Sequence, residues 1–274
     1  MFTLNCRGKL LTLDKPVVMG IINATPDSFY KGDIHSDMLL QAQKMIADGA
    51  TILDIGGQST RPGSERIGPA EELKRILPVI HSISNKFPGT IISVDTYSSK
   101  VAAAAVEAGA AIINDISAGN MDEQMLATVA QLKVPYVCMH MQGTPGTMQQ
   151  HPHYTDVAKE VVDFFIAKIA WCKKAGIADV IIDPGFGFGK TITHNFSLLK
   201  KMGLLGMLGK PLLAGISRKS TIYKTLGTTA ADALNGTTAL NTIALLNGAS
   251  ILRVHDVKEA QEAITLFNAY TKAP

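Results

Sequence analysis

The stretch VIIDPGFGFGK (180–190) joins a short apolar run to a polar, glycine-rich end. Val180, Ile181 and Ile182 lead directly into Asp183, and three glycines follow within the next six residues. A continuous apolar run of this length is typical of a parallel strand that is covered on both faces. We therefore predict a buried strand here, with a carboxylate and a turn at its carboxyl end.

The same design recurs along the chain. Short apolar runs rich in valine and isoleucine alternate with longer segments whose apolar residues repeat at helical spacing. The predicted strands are 17–23, 51–57, 91–96, 111–116, 135–141, 180–185, 212–217 and 251–256, and the clearest helices are 36–49, 69–86, 155–176, 232–248 and 257–270.

Eight such alternations in 274 residues favour an α/β fold, a single (β/α)8 TIM barrel formed by one domain, 1–274. An open, doubly wound sheet is the alternative. Residues 1–14 lie outside this count. Their apolar residues alternate around Gly8, which predicts an N-terminal hairpin that caps the floor of the barrel.

Composition excludes several classes of protein. Hydrophobic residues make up 46% of the chain, enough for a large core, and the net charge of +3 comes without a basic block, which argues against nucleic-acid binding. No apolar run reaches the ~18 residues that span a bilayer, so we expect no membrane association. The cysteines at 6, 138 and 172 are widely spaced, which predicts reduced packing residues in a cytoplasmic protein.

Polar residues stand at the end of every predicted strand, where the active site of a TIM barrel lies. Buried together without a polar ligand, they would be costly to desolvate, so they indicate a binding site. They comprise Asn23, Gln58–Arg61, Asp95–Thr96, Asn114–Asp115, His140, Asp183, Ser217–Lys219 and Arg253–Asp256.

The residue types suggest what the site binds. Asp95, Asn114 and Asp183 suit the N–H groups of an amino-pyrimidine edge, because a carboxylate pairs with two N–H donors at once. Lys219 can donate to a ring carbonyl. Arg253 and His255 precede the last helix, which Asp256 is predicted to cap, and barrels commonly bind phosphate at this position.

Each of these residues also has an ordinary explanation when taken alone. Asp95 and Asp183 are acceptable helix caps, and Lys190 is most simply interpreted as a solvated loop charge. The glycines at 185–189 do not form a P-loop, because Pro184 stands where that motif needs glycine. Only the convergence of eight strand ends favours a functional site.

Five motifs, in the same order and over nearly the whole chain, resemble the dihydropteroate synthase family. They are Asn23-x-Thr25-Pro26-Asp27-Ser28-Phe29, Gly57-Gln58-Ser59-Thr60-Arg61-Pro62-Gly63, Asp183-Pro184-Gly185-x-Gly187-Phe188-Gly189-Lys190, Ser217-Arg218-Lys219 and Arg253-x-His255-Asp256. The resemblance implies a pterin-binding barrel that joins 6-hydroxymethyl-7,8-dihydropterin diphosphate to 4-aminobenzoate, with loss of diphosphate. It also implies small-molecule substrates, a Mg²⁺ cofactor and a homodimer.

The resemblance also implies roles for individual residues. It implies that Asp95, Lys219, Arg253 and His255 are catalytic. From the resemblance, the pterin is expected to lie among Asp95, Asn114, Asp183 and Lys219, with Met139 on its face. The diphosphate is expected at Arg253, His255 and Asn23, with Mg²⁺ near Asn23. The aminobenzoate is expected beside Thr60, Arg61, Pro62, Phe188 and Ser220, with Phe29 close by.

Two alternatives remain at this point. A pterin-binding methyltransferase of the corrinoid type is also a barrel with acidic and amide groups at its strand ends, but it needs neither an aminobenzoate pocket nor a diphosphate site. A barrel that only binds pterin is the second. The first loop departs from the family, because Tyr30-Lys31-Gly32-Asp33 stands where Ser-Asp-Gly-Gly is usual.

Overall fold

The computed structural model describes residues 1–25, 34–59 and 66–274. Its strands are β1 (Phe2–Cys6), β2 (Lys9–Leu13), β3 (Val17–Asn23), β4 (Ile52–Gly56), β5 (Ile91–Asp95), β6 (Ile112–Asp115), β7 (Tyr136–Met139), β8 (Val180–Asp183), β9 (Leu213–Ala214) and β10 (Ile251–Val254). Its helices are α1 (Ile34–Ala47), α2 (Pro69–Lys86), α3 (Ser99–Ala108), α4 (Met125–Leu132), α5 (Val157–Ala175), α6 (Ile192–Lys200), α7 (Ser220–Leu226), α8 (Leu234–Leu246) and α9 (Val257–Lys272), with a 3-10 helix at Met202–Leu208.

Strands β3 to β10 form one parallel sheet in the order β8-β7-β6-β5-β4-β3-β10-β9. A parallel bridge between Ile182 and Leu212 joins the two outer strands, which closes the sheet into a barrel. The helices follow the strands in sequence, as in a TIM barrel. The predicted (β/α)8 fold is confirmed, and the open doubly wound alternative is wrong because the sheet closes.

The antiparallel hairpin β1–β2 covers the floor of the barrel, as predicted. Leu4, Cys6, Leu11 and Leu13 share a buried apolar cluster with residues at the amino ends of the barrel strands. The Asn5 N–H also donates to Asp179 Oδ2 at 2.7 Å, just before β8. The floor is therefore apolar and covered by the hairpin, which leaves the opposite end for a ligand.

The barrel interior changes character halfway along its strands. The lower layer is apolar and packs on the hairpin. Because side chains two residues apart on a strand face the same way, the next inward residues can be read from the register. These residues are polar, small or flexible. Each stands two positions after an apolar residue of the lower layer, and the pairs are Ile52 and Asp54, Ile91 and Ser93, Ile112 and Asn114, Val137 and Met139, Ile181 and Asp183, Leu213 and Gly215, and Ile251 and Arg253.

Several predicted bounds differ from the structure. Helix α1 begins at Ile34, and most strands stop before their predicted polar ends. The largest difference is β9, which covers Leu213–Ala214 within the predicted 212–217. After it the chain leaves the sheet in a turn, with Lys219 N–H donating to Ile216 and Arg218 in a left-handed conformation (φ 53°). Ser217, Arg218 and Lys219 therefore lie on a turn, whereas Asn23, Asp95, Asn114, Asp183 and Arg253 lie at or near the ends of strands.

All three cysteines are free and buried, as the sequence predicts. Within residues 1–25, 34–59 and 66–274, no helix has the length and apolar character needed to cross a membrane.

Candidate active site

Arg253 lies between two carboxylates in the upper part of the barrel. Its Nε donates to Asp54 Oδ2 and its Nη2 to Asp95 Oδ2, both at 2.6 Å. Burial alone would lower the pKa of Arg253, but the charges of Asp54 and Asp95 outweigh this effect and raise it. Burial raises the pKa of Asp95 to about 7, and Arg253 opposes that rise. The guanidinium is therefore held between a residue of β4 and a residue of β5 in the barrel interior.

Asn114 is oriented by the same carboxylate. Its Nδ2 donates to Asp54 Oδ2 at 3.0 Å. An ionised carboxylate only accepts hydrogen bonds, so the Asn114 amide nitrogen must face Asp54. The Asn114 carbonyl oxygen is thereby left to accept from a ligand N–H.

Asp183 ends β8 and is held by the turn that follows. Its Oδ1 accepts from the Gly185 N–H at 2.8 Å. Gly185 has a φ of +66°, and a Cβ there would lie 1.9 Å from the carbonyl oxygen of His140, so only glycine fits. Burial raises the pKa of Asp183, while Lys219 nearby opposes the rise. The turn thus fixes a buried carboxylate with its second oxygen towards Gly215 and Lys219.

Lys219 bridges two loops at the mouth. Its Nζ donates to the Phe186 carbonyl and lies 4.6 Å from the centre of the Phe188 ring. Burial lowers the pKa of Lys219 to about 8, and Asp183 opposes this fall. The ammonium is therefore placed beside Asp183 and an aromatic face, where it can donate to a polar ring.

Lys190 is not the solvated loop charge that the sequence suggests. It is buried, and its Nζ contacts His140 Nδ1 at 2.9 Å and the carbonyls of Gly185 and Phe188 at 2.9 and 3.0 Å. Burial lowers the pKa of Lys190 and lowers that of His140 to about 2, so the His140 ring is neutral and accepts from Lys190. The lysine ties the loop after β8 to the loop after β7.

The outer rim is built from the ends of β9 and β10. His255 is exposed, and its Nδ1 lies 3.0 Å from Ser217 Oγ, which also accepts from the His255 N–H. Asp256 occupies the N-cap position of α9 but makes no side-chain cap hydrogen bond, so the predicted capping role is wrong. Its carboxylate instead accepts hydrogen bonds from Nε and Nη2 of Arg218, both at 2.8 Å.

The remaining predicted residues lie around this core. Met139 and Phe188 share a buried apolar cluster at the mouth, and Phe188 also lies close to Lys219. Ser220 begins α7 directly after Lys219 and is half-buried. Asn23 ends β3, with Gly56 opposite it in the register, and its side chain is exposed.

Part of the predicted aminobenzoate pocket is not covered. Thr60, Arg61 and Pro62, together with Phe29 and the first-loop residues 30–33, lie outside the residues that the structure describes.

Sequence reasoning missed Asp54, the residue that contacts two of the predicted ones. The signal was present, because ILDIG places a carboxylate inside an apolar run. A search of the strand ends does not find Asp54, because it lies in the middle of β4. Ser217 was noted at a strand end, but its contact with His255 depends on the turn after β9.

Comparison with known proteins identifies the family of this barrel. The model of the family described as "Pterin binding enzyme" matches residues 19–255, so the chain belongs to the pterin-binding enzymes. The dihydropteroate synthase of Escherichia coli (strain K12) is 45% identical over 272 residues, covering 97% of this chain and 96% of that protein. Within the pterin-binding enzymes, the chain is a member of the dihydropteroate synthases, which are transferases of folate biosynthesis.

Solved structures of dihydropteroate synthases support this family assignment. The Xanthomonas albilineans dihydropteroate synthase with 4-aminobenzoic acid superposes with a TM-score of 0.94 at 41% identity and covers 99% of both chains. The same enzyme in complex with 7,8-dihydropteroate gives a TM-score of 0.91 at 39% identity over the full length of both.

Proposed function

We propose that the mouth of this barrel carries out the dihydropteroate synthase reaction with its polar residues in separate roles. The observation that carries the proposal is the convergence of Asp95, Asn114, Asp183, Lys219 and Arg253 above an apolar floor. The substrates are 6-hydroxymethyl-7,8-dihydropterin diphosphate and 4-aminobenzoate, and the products are 7,8-dihydropteroate and diphosphate.

The pterin ring binds deep in the mouth. Asp183 accepts from the two N–H groups of its amino-pyrimidine edge, and Asn114 offers a carbonyl oxygen to a further N–H. Lys219 donates to the ring carbonyl. Met139 covers the face of the ring, which fits its place in the buried cluster with Phe188.

The reaction begins with cleavage of the C–O bond between the pterin methylene group and diphosphate, which leaves with the bonding electron pair. His255 on the rim and Arg253 below it bind this anion, and the amino end of α9 lies beside them. The carboxylates of Asp95 and Asp183 stabilise the pterin cation that remains. The amine lone pair of 4-aminobenzoate then forms the new C–N bond, and the nitrogen releases a proton.

The aminobenzoate binds further out. Ser220 and Phe188 lie at the edge of the mouth, and Thr60, Arg61 and Pro62 complete the pocket in this proposal. No nucleophilic side chain is required, because the amine attacks the cation directly.

Asn23 fits a Mg²⁺ site shared with the substrate. Mg²⁺ is usually bound by one or two protein oxygens together with phosphate oxygens and water, and the exposed amide of Asn23 at the end of β3 offers one such oxygen at the mouth. The described residues contain no group of three acidic, histidine or cysteine side chains that would form a metal site alone. When bound, the ion neutralises charge on the diphosphate.

We also propose a cytoplasmic homodimer. Leu226, Ile243, Leu246 and Leu266 on α7 to α9 are exposed apolar residues on the barrel wall, and the three buried, free thiols suit a reducing compartment. Light scattering should give twice the chain mass of 29.2 kDa, and a mass of one chain would contradict the dimer.

A coupled assay of diphosphate release tests the function. We expect release from the pterin diphosphate to depend on 4-aminobenzoate and to match the formation of dihydropteroate. Binding of the pterin with no release under any condition would favour a barrel that only binds pterin. A methyltransferase would instead turn over a methylated pterin.

A further inference from the structure

We propose that Asp54 is a positioning residue for this reaction: it holds Arg253, which binds the diphosphate, and it orients the amide of Asn114 towards the pterin. The inference rests on the proposed function of the mouth. It concerns a residue that does not reach the rim and that the motifs at the strand ends leave out.

The first step of the argument is geometric. Asp54 lies in the middle of β4 and is fully buried. A single oxygen, Oδ2, accepts from Arg253 Nε at 2.6 Å and from Asn114 Nδ2 at 3.0 Å. Arg253 is on β10 and Asn114 on β6, which are not neighbours in the sheet. One carboxylate therefore sets two site residues that come from opposite parts of the barrel wall.

The second step concerns direction. Because Asp54 accepts from Nε, the Arg253 guanidinium is fixed at the nitrogen that joins it to the rest of the side chain, and Nη2 projects towards Asp95. Because Asp54 can only accept, the Asn114 amide is fixed in one of its two orientations. Without this carboxylate the amide could present either its oxygen or its nitrogen to the pterin.

The third step compares Asp54 with a carboxylate of purely structural type. Asp115, at the end of β6, is equally buried, and both its oxygens are satisfied: Oδ1 by the N–H and hydroxyl of Ser117, and Oδ2 by Gly119 N–H and the Tyr136 hydroxyl. Asp54 Oδ1, in contrast, has no hydrogen-bond partner among the described residues. A half-satisfied buried charge stabilises a fold poorly, so its value lies in the two residues that it orients.

Asp54 also acts on Asp95 through charge. The groups that face Asp95 are Arg253 on β10, Asp54 on β4, Glu72 on α2, Asp115 on β6 and Lys219 after β9. Removing the negative charge of Asp54 removes its repulsion of the Asp95 carboxylate. It also leaves Asp95 as the carboxylate that is ion-paired with Arg253. Both changes favour ionised Asp95 and lower its pKa.

The test compares Asp54→Asn with the matched control Asp115→Asn. For Asp54→Asn we expect kcat/KM for the pterin diphosphate to fall about 100-fold, as when one partner of a buried charge pair is removed, with KM for 4-aminobenzoate changed less than about 3-fold. We also expect the acidic limb of the kcat/KM pH profile to move about one unit lower. For Asp115→Asn we expect a lower Tm, with kcat and both KM values close to those of the parent.

The inference is overturned if Asp54→Asn keeps the parent's pH profile, if both KM values change equally, or if Asp115→Asn gives the same kinetic pattern. Asp54→Ser is the second variant; if neither Asp54 variant folds, the residue is structural and the inference is wrong. A parent enzyme that releases no diphosphate in the presence of 4-aminobenzoate would instead contradict the proposed function, which separates the two failures.

Discussion

At the scale of single residues, this site is a balance of buried charges. Three carboxylates, Asp54, Asp95 and Asp183, face two cations, Arg253 and Lys219. Burial raises the pKa values of Asp95 and Asp183 and lowers that of Lys219, so each ionised group depends on its neighbours. Changing a single charge should therefore alter binding and titration more than it alters shape.

Asp183→Asn should weaken binding of the pterin. The variant keeps the shape of the side chain but presents an N–H to one of the pterin N–H donors, so we expect a loss of about 3–5 kcal/mol, as for one partner of a buried charged pair. Calorimetry with a non-phosphorylated pterin measures it. Asp179→Asn is the matched control, because Asp179 lies just before the same strand at the floor and should leave pterin affinity unchanged. Equal affinity in the parent and in Asp183→Asn would refute this role.

Asp95→Asn should change how stability depends on pH. The pKa of Asp95 is raised in the folded state from 3.8 to about 7, so its ionisation opposes folding. The stability that this group contributes is present below pH 3.8 and is lost as the pH rises through about 7. The asparagine does not titrate, so Tm of the variant minus Tm of the parent should increase between pH 5 and pH 8. Thermal melts at both pH values check the sign, and a difference that stays constant over this range would show that Arg253 keeps the Asp95 pKa low.

At the scale of elements, the loop between β8 and α6 organises the mouth. It follows Asp183 directly and supplies the Phe186 carbonyl that accepts from Lys219 and the Phe188 ring. Gly185 permits the first turn of the loop, and the buried amine of Lys190 donates hydrogen bonds to two of its carbonyls. The loop is therefore stabilised by the buried amine of one of its own residues.

Lys190→Met should disturb this loop. It keeps the apolar stem but leaves the carbonyls of Gly185 and Phe188 buried without their donor, and each such group costs about 1–3 kcal/mol. We expect a lower Tm and a kcat/KM for the pterin diphosphate reduced at least about 10-fold, measured by thermal melts and steady-state kinetics. Lys200→Met, on the exposed side of α6, is the control and should match the parent. Parent-like kinetics in Lys190→Met would mean that the loop keeps its shape without the lysine.

The elements also show what sequence could predict. The apolar runs located every barrel strand, because a buried parallel strand requires a continuous apolar run. Their ends were placed too far along, since the chain turns away from the sheet to present residues such as Ser217 and Lys219. The interpretation of Lys190 as a solvated charge is wrong because its burial depends on the ring and the carbonyl of His140, which lies 50 positions earlier, and no local pattern predicts such a contact.

At the scale of the whole molecule, binding and stability are separated along the barrel axis. The floor layer is apolar and rests on the hairpin, and the polar layer begins one step above it. In TIM barrels the amino-terminal face serves stability and the carboxyl-terminal face serves chemistry. The sequence predicted both faces, but only the closed sheet shows that Asp54 reaches Arg253 from across the interior.

Leu4→Ala should reduce the stability of the protein without changing its catalytic activity. Leu4 is 3% exposed in the floor cluster, so its truncation should reduce the free energy of unfolding by about 2–5 kcal/mol. Denaturant unfolding measures this change, while kcat and both KM values should stay at the parent's level because the mouth is untouched. Leu10→Ala on the same hairpin is the control, since Leu10 is 71% exposed and should change little. A large loss of kcat in folded Leu4→Ala would show that the floor and the mouth are coupled.

The hairpin on the floor also decides how this enzyme is best attached to a solid support. Met1 is 88% exposed and directly precedes β1, which lies beneath the barrel. A bead or electrode coupled through the first residue therefore sits behind the closed end, and the open end faces the bulk solution. Both substrates then diffuse in, and both products diffuse out, without passing the support.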